Sequence, residues 1–166
     1  MDSEALAAAA VVAERAADAA RQEILPRFRN VAVETKADGS PVTEADRQAE
    51  QAIRGVLGAA YPEHALLGEE YGEESNTDSR LRWVIDPIDG TIAFARGIPL
   101  FSTLIALMED EEPVLGLIDV PGLNQRYVGW RSGGCRRNGD PVRVSQADDL
   151  QRSLVSHGDP FCFERS

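Results

Sequence analysis

The hydrophobic pattern changes period once, near Ala65, and that change restricts the fold more than any other feature of the chain. Before it, the pattern is helical. From Ser3 to Leu25, apolar residues recur at spacings of three and four: Leu6, Ala9, Ala13, Ala16, Ala20 and Ile24. This is one stripe of an amphipathic helix, ended by Pro26. Val31-Ala32-Val33 is short enough for a strand or a loop, and Lys36 to Val42 is rich in turn formers. Thr43 then opens a second helix. Thr43-Glu44-Ala45-Asp46 reads as a capping box with Asp in place of Glu. Ala45, Ala49, Ile53 and Val56 form its buried face, and Gly58 and Pro62 close it.

After Ala65 the apolar runs are short and separated by turns. Ala65-Leu66-Leu67 ends in Gly68-Glu69-Glu70, and a polar loop runs from Gly72 to Ser79. Trp83-Val84-Ile85 ends at Asp86. Strands are predicted at Ser102 to Met108, Val114 to Val120 and Arg126 to Trp130, then at Val142 to Val144 and Leu154 to Ser156. Short consecutive strands with tight turns imply an antiparallel meander. Two N-terminal helices packed on such a sheet make an α+β layer architecture. With no repeat or linker, residues 1–166 read as one domain. A sheet covered by helices on one face expects a layer on the other, and the chain stops soon after the apolar Phe161-Cys162-Phe163.

Composition narrows the function. A chain of 166 residues can bury an ordinary core. The formal net charge of −11 argues against a nucleic-acid-binding or anionic-membrane-binding surface, each of which needs a basic face. An anionic substrate would need a local cation. Lys36 is the single lysine among 17 basic residues. Cys135 and Cys162 form no disulfide framework or zinc motif. The Ala-rich start is broken by Asp2, Glu4, Glu14, Arg15 and Asp18, so it does not read as a signal peptide. The expectation is a cytoplasmic protein.

Asp86-Pro87-Ile88-Asp89-Gly90-Thr91 carries the most chemistry. An apolar strand delivers Asp86 at its end, and Pro87 stops the strand from simply continuing. Asp86 and Asp89 then lie close on a turning backbone, where two carboxylates repel unless a cation or proton separates them. Gly90 permits close approach of a ligand. Thr91 adds a hydroxyl at the start of a short helix over residues 92–95, whose N–H groups suit a phosphate. Glu69 ends another apolar run and supplies a third carboxylate. Oxygen ligands without His or Cys suit Mg²⁺, Mn²⁺ or Ca²⁺ better than zinc. Each piece has a plainer reading in isolation. Asp-Pro-x-Asp-Gly is good turn chemistry, Glu69-Glu70 is a solvated pair, Thr43 to Asp46 is a helix cap, and Lys36 is a loop charge. Only the whole set favours a site.

That set resembles the inositol-monophosphatase family of metal-dependent phosphatases. The matching residues are Lys36 to Asp46, Gly68-Glu69-Glu70, and Trp83 to Thr91 with Phe94 and Gly97; Asn138-Gly139 and Val144-Ser145 fit a later sheet turn. Gly97 to Phe101, Ile105 to Leu107 and Pro113 to Asp119 look most like the histidinol-phosphate phosphatase branch, which serves histidine biosynthesis.

The resemblance implies a Mg²⁺-dependent phosphomonoesterase, with histidinol phosphate as substrate and inositol 1-phosphate or another small sugar phosphate as the alternative. It implies that Glu69, Asp86 and the carbonyl of Ile88 hold one metal, and that Asp86 and Asp89 contribute to a second. Glu69 and Thr91 would orient the attacking water, and the N–H groups of Gly90 and Thr91 would hold the phosphate. Asp46 would reach a further metal through water, with Lys36 at the edge, for two or three Mg²⁺ in a complete site. A homodimer is compatible with it. It also implies the N-terminal part of an αβαβα-layered sugar-phosphatase-type fold. Family members are longer, and their second α/β half carries an Asp that completes the second metal site. That half is expected to be absent from residues 1–166, which leaves a second class of reading open: a non-catalytic metal-binding fragment.

Overall fold

A computed structural model of the chain describes residues 1–74 and 79–154. Helix α1 (Ser3–Ile24) is capped by Asp2, whose side chain accepts from Ala5 N–H. The stripe predicted for it is buried throughout, widened by Ala10 and Ala17. These small side chains let α1 lie close against α2 (Glu44–Ala60). The capping box of α2 is formed, and its buried face is Ala45, Ala49, Ile53 and Leu57, with Val56 only partly buried.

Val31 to Val33 forms no strand. Strands β1 (Glu34–Thr35) and β2 (Pro41–Val42) instead close the turn-rich stretch into a small hairpin. Among the described residues the large sheet has eight strands. They are β3 (Ala65–Gly68), β4 (Gly72–Glu74), β5 (Leu81–Asp89), β6 (Ser102–Glu109), β7 (Glu112–Val120), β8 (Gln125–Trp130), β9 (Gly134–Arg137) and β10 (Asp140–Val142). Their spatial order is β10-β9-β8-β7-β6-β5-β3-β4. The run from β5 to β10 is the expected antiparallel meander. Strand β3 departs from it by pairing parallel to β5, and β4 adds antiparallel at the edge, inside what the sequence marks as a loop. The architecture is thus α+β, with a mainly antiparallel sheet.

The last part of the meander is shifted from expectation. Strand β9 is unexpected: Gly134-Cys135-Arg136-Arg137 has no alternation and is exposed along its length. Asn138 and Gly139 form its two-residue hairpin turn, both with positive φ, as the twist of paired strands favours. The strand expected at Val142 to Val144 ends at Val142, and Val144 is 93% exposed. Leu154 lies outside any strand, while Val155, Ser156 and the Phe161 to Phe163 run fall outside the described residues.

Alternation fixes the two faces of the sheet. Trp83 and Ile85 of β5, Ile105 and Leu107 of β6, and Leu115 and Leu117 of β7 point into the core shared with the helices. Leu104, Ala106, Val84 and Leu67 point the other way and are half-buried, with Ile118 46% exposed among them. At one end of β7, Asp119 is fully buried and holds three arginine contacts. Arg21 of α1 donates through Nε at 2.6 Å and Nη2 at 2.8 Å, and Arg126 of β8 through Nε at 2.8 Å. This ties α1 across the sheet.

Candidate active site

The parallel pair β3–β5 builds the site. Gly68 lies opposite Ile85, and Glu69 N–H donates to the Ile85 carbonyl at 3.1 Å. The chain therefore leaves the two strands side by side, with Glu69 beside Asp86. Burial pushes the Asp86 carboxyl up to about 8, with Glu69 adding its charge and a hydrogen bond and Asp89 adding further charge. Oδ1 of Asp86 is buried and has no hydrogen-bond partner among the described residues. A buried, partnerless carboxylate oxygen crowded by like charge is a position where a cation would be stabilising.

Beyond Asp86 the strand bulges. Asp86 pairs with Leu104, and Asp89 with Ser102, so one residue more on β5 than on β6 spans the interval. Pro87 has no N–H to give the ladder, and its carbonyl accepts instead from the buried Thr103 hydroxyl at 2.8 Å. The bulge turns Asp89 out to the exposed edge, where Ser102 Oγ lies 3.4 Å from its Oδ2. Gly90 follows with φ +91°, and a Cβ there would meet the Leu100 carbonyl at 3.2 Å. Thr91 then starts the short helix α3 (Thr91–Ala95).

A second acid lies behind this loop. The Thr91 hydroxyl sits 3.2 Å from the Ile88 carbonyl and 3.3 Å from Asp46 Oδ1. Asp46 also accepts from the Thr43 backbone N–H and hydroxyl, closing the capping box. Its carboxyl is held above the ordinary range because burial outweighs those hydrogen bonds. The residue that looks like a cap in isolation is thus a cap and a contact of the Asp86–Thr91 loop together.

Lys36 is not a free loop charge. Its ammonium lies 2.7 Å from Glu70 and 3.3 Å from Glu69. Burial pulls its pKa down, but the hydrogen bonds and charges of Glu70 and Glu69 outweigh burial and hold it above the usual lysine range. For Glu70, burial is the larger influence and raises the pKa against the pull of Lys36.

The structure therefore places Glu69 against both Asp86 and Lys36, and joins Asp46, Thr91 and the Ile88 carbonyl. Asp89 stands at the rim. Among the described residues, no three His, Cys, Asp or Glu side chains converge as a ready ligand cage. The donors that do meet are hard oxygens, and one is unpartnered, so the set fits a hard divalent cation. Thr103 and Glu50 belong to no motif in the sequence. Both are polar residues at apolar-phase positions, Thr103 in step with Ile105 and Leu107, and Glu50 between Ala49 and Ile53 on the buried face of α2. That mismatch is the signal that marks them.

The inositol monophosphatase family model matches residues 2–159. A histidinol-phosphatase of Streptomyces coelicolor is 50% identical over 117 residues, covering 67% of this chain and 43% of the relative. A histidinol-phosphatase of Chlorobaculum parvum is 43% identical over 127 residues, covering 76% and 49%. The crystal structure of the extragenic suppressor protein SuhB from Bartonella henselae superposes with a TM-score of 0.81 at 34% identity, covering 86% of this chain and 57% of that one. The chain spans about half the length of the curated relatives it matches.

Proposed function

The chain belongs to the inositol monophosphatase family, and we propose that it carries the Mg²⁺-binding part of a phosphomonoesterase whose substrate is histidinol phosphate. The observation that supports this most is the buried, partnerless Asp86 Oδ1 beside Glu69, with the carboxyl pushed to about 8. Such a pair is costly to keep in water alone and suits a hard cation. The two histidinol-phosphatases support the choice of substrate.

On this reading, Glu69, Asp86, the Ile88 carbonyl and Asp89 hold Mg²⁺. When bound, Mg²⁺ lowers the pKa of water and offsets the negative charge of a phosphate monoester. The residues of the chain do the rest. Glu69 and the Thr91 hydroxyl orient the attacking water. Its oxygen bonds to phosphorus as the P–O bond to the alcohol breaks, and one proton of the water passes to the leaving oxygen, giving the alcohol and hydrogen phosphate. The N–H groups of Gly90 and Thr91 hold the phosphate, positioning it for in-line attack. Asp46 accepts from the Thr91 hydroxyl and would reach a further cation through water. Lys36 tethers Glu69 at the rim.

The test is Mg²⁺-dependent phosphate release from histidinol phosphate, compared with inositol 1-phosphate, by the chain and its Asp86→Asn variant. Preference for histidinol phosphate, lost with Asp86→Asn, is the expected result. Release that continues unchanged in chelator refutes the reading. A second reading is a metal-binding fragment without turnover, since the chain spans about half the length of the curated relatives it matches. Cation binding with no phosphate release from any small monoester would select it.

A further inference from the structure

The least expected side chain near the site is Glu50. It lies on the apolar face of α2, wholly buried. Its carboxylate accepts from the backbone N–H of Glu70 at 2.7 Å and of Tyr71 at 3.3 Å. Arg54, one turn on, donates to it at 2.8 Å through Nε. Gly68 exists in the space this carboxylate leaves, since a Cβ at that position would fall 1.9 Å from Glu50 Oε1. Arg54 also donates to the Gly72 carbonyl and lies 3.3 Å from Glu74. The backbone is therefore gripped immediately before Glu69, through contact with Gly68, and immediately after it, through two charge-assisted hydrogen bonds. Glu69 itself gives its N–H to the Ile85 carbonyl of the sheet.

We propose that Glu50 is a positioning residue that sets the backbone on both sides of Glu69 and thereby sets how tightly the Glu69–Asp86 pair binds a divalent cation. The inference rests on the proposed function in that it takes this pair as the cation site. The physical case is the number and kind of contacts. A burial this complete is rare for a glutamate without partners, and here its partners are the amides that follow Glu69 in the chain. Hydrogen bonds from backbone N–H to a carboxylate are stronger than neutral ones. Residues that orient metal-binding groups from behind change metal affinity about 10–100-fold when removed.

The experiment compares wild type, Glu50→Gln, Gly68→Ala and Ile53→Val in two measurements. The first is Mn²⁺ affinity by calorimetry. The second is amide hydrogen exchange at Glu70 and Tyr71 without metal. Gln keeps the shape but loses the charge, and the Ala methyl drives the carboxylate from its place. Ile53→Val perturbs the same helix face away from the loop. Glu50→Gln and Gly68→Ala should each weaken Mn²⁺ binding at least about tenfold and speed exchange at Glu70 and Tyr71, while Ile53→Val changes neither. Unchanged Mn²⁺ affinity in Glu50→Gln overturns the proposal, as does an equal loss in Ile53→Val. If wild type binds no Mn²⁺, the cation-site reading itself fails. Exchange then separates the two: faster exchange in Glu50→Gln keeps the grip on the loop, and unchanged exchange removes it. Should Glu50→Gln not fold, Arg54→Met loosens the same grip from its exposed side, and the same two readouts decide.

Discussion

Replacing Asp119 by Asn tests the account of how α1 is held to the sheet. The Asp119 side chain is fully buried, while those of its partners Arg21 and Arg126 keep 21% and 15% of their exposure. Three N–O contacts of 2.6 to 2.8 Å converge on it. In the Asp119→Asn variant one oxygen becomes an amide donor facing guanidinium donors, Arg21 loses its counter-charge, and Arg126 is left with Asp18 at 2.7 Å. Breaking a buried ion pair by removing one partner costs about 3–5 kcal/mol. The partial exposure of both arginines places the expected loss near the lower end, about 3 kcal/mol. For a domain of this size that corresponds to roughly 6–12 °C in Tm. Urea and thermal unfolding followed by circular dichroism measure it. Arg21→Met is expected to cost less, because Asp119 keeps Arg126. Added to Asp119→Asn, Arg21→Met should cost almost nothing further, since the pair is already broken. A loss below about 1 kcal/mol for Asp119→Asn, or strict additivity of the two substitutions, would refute the reasoning.

Three further outcomes follow from the same physics. Thr103→Val keeps the side-chain shape but leaves the Pro87 carbonyl without its hydroxyl donor, so it should cost about 1–2 kcal/mol in urea unfolding; stability equal to wild type would show that the bulge needs no such bond. Asp86→Asn removes a buried carboxylate crowded by Glu69 and should raise Tm in chelator while abolishing Mn²⁺ binding; a lower Tm there would contradict the crowding. Burial depresses the pKa of His64, which stacks on Tyr61 at 4.7 Å and leaves Nδ1 without a hydrogen-bond partner among the described residues. The unfolded chain, with His near 6.5, then binds the proton first. This part of the stability is full above about 6.5 and is lost as pH falls through that value toward the folded pKa. The drop in Tm between pH 7.5 and 5.5 should be smaller in His64→Phe than in wild type; equal drops would dismiss the effect.

The elements easiest to read from the amino-acid order were those whose burial follows a simple period. The α1 stripe and the Thr43 cap sit where the spacing puts them, and β6 and β7 match their alternation. Strand β9 carries no such mark, because Gly134 to Arg137 is held by backbone pairing to β8 and not by a buried face. Parallel pairing of β3 with β5 was also invisible: alternation says which face a residue takes, not which strand is its neighbour. The site follows the same division. Asp86 to Thr91 stood out by composition, while the closeness of Glu69 to Asp86 depends on that parallel pair. Glu50 and Thr103 were hidden because a polar residue in an apolar phase reads as noise until its partners are in view.

Lys36 has a practical meaning that its ion pairs alone do not convey. It is the chain's one side-chain amine, and it stands at the mouth of the acid pocket against Glu69 and Glu70. An acylating or methylating reagent therefore meets one side-chain amine, Lys36, besides the Met1 α-amine, which is paired with Glu109. Whatever draws Glu69 away leaves that amine with one carboxylate fewer to hold its proton. The chain thus contains its own chemical probe of these acids, readable by mass on the peptide that holds Lys36.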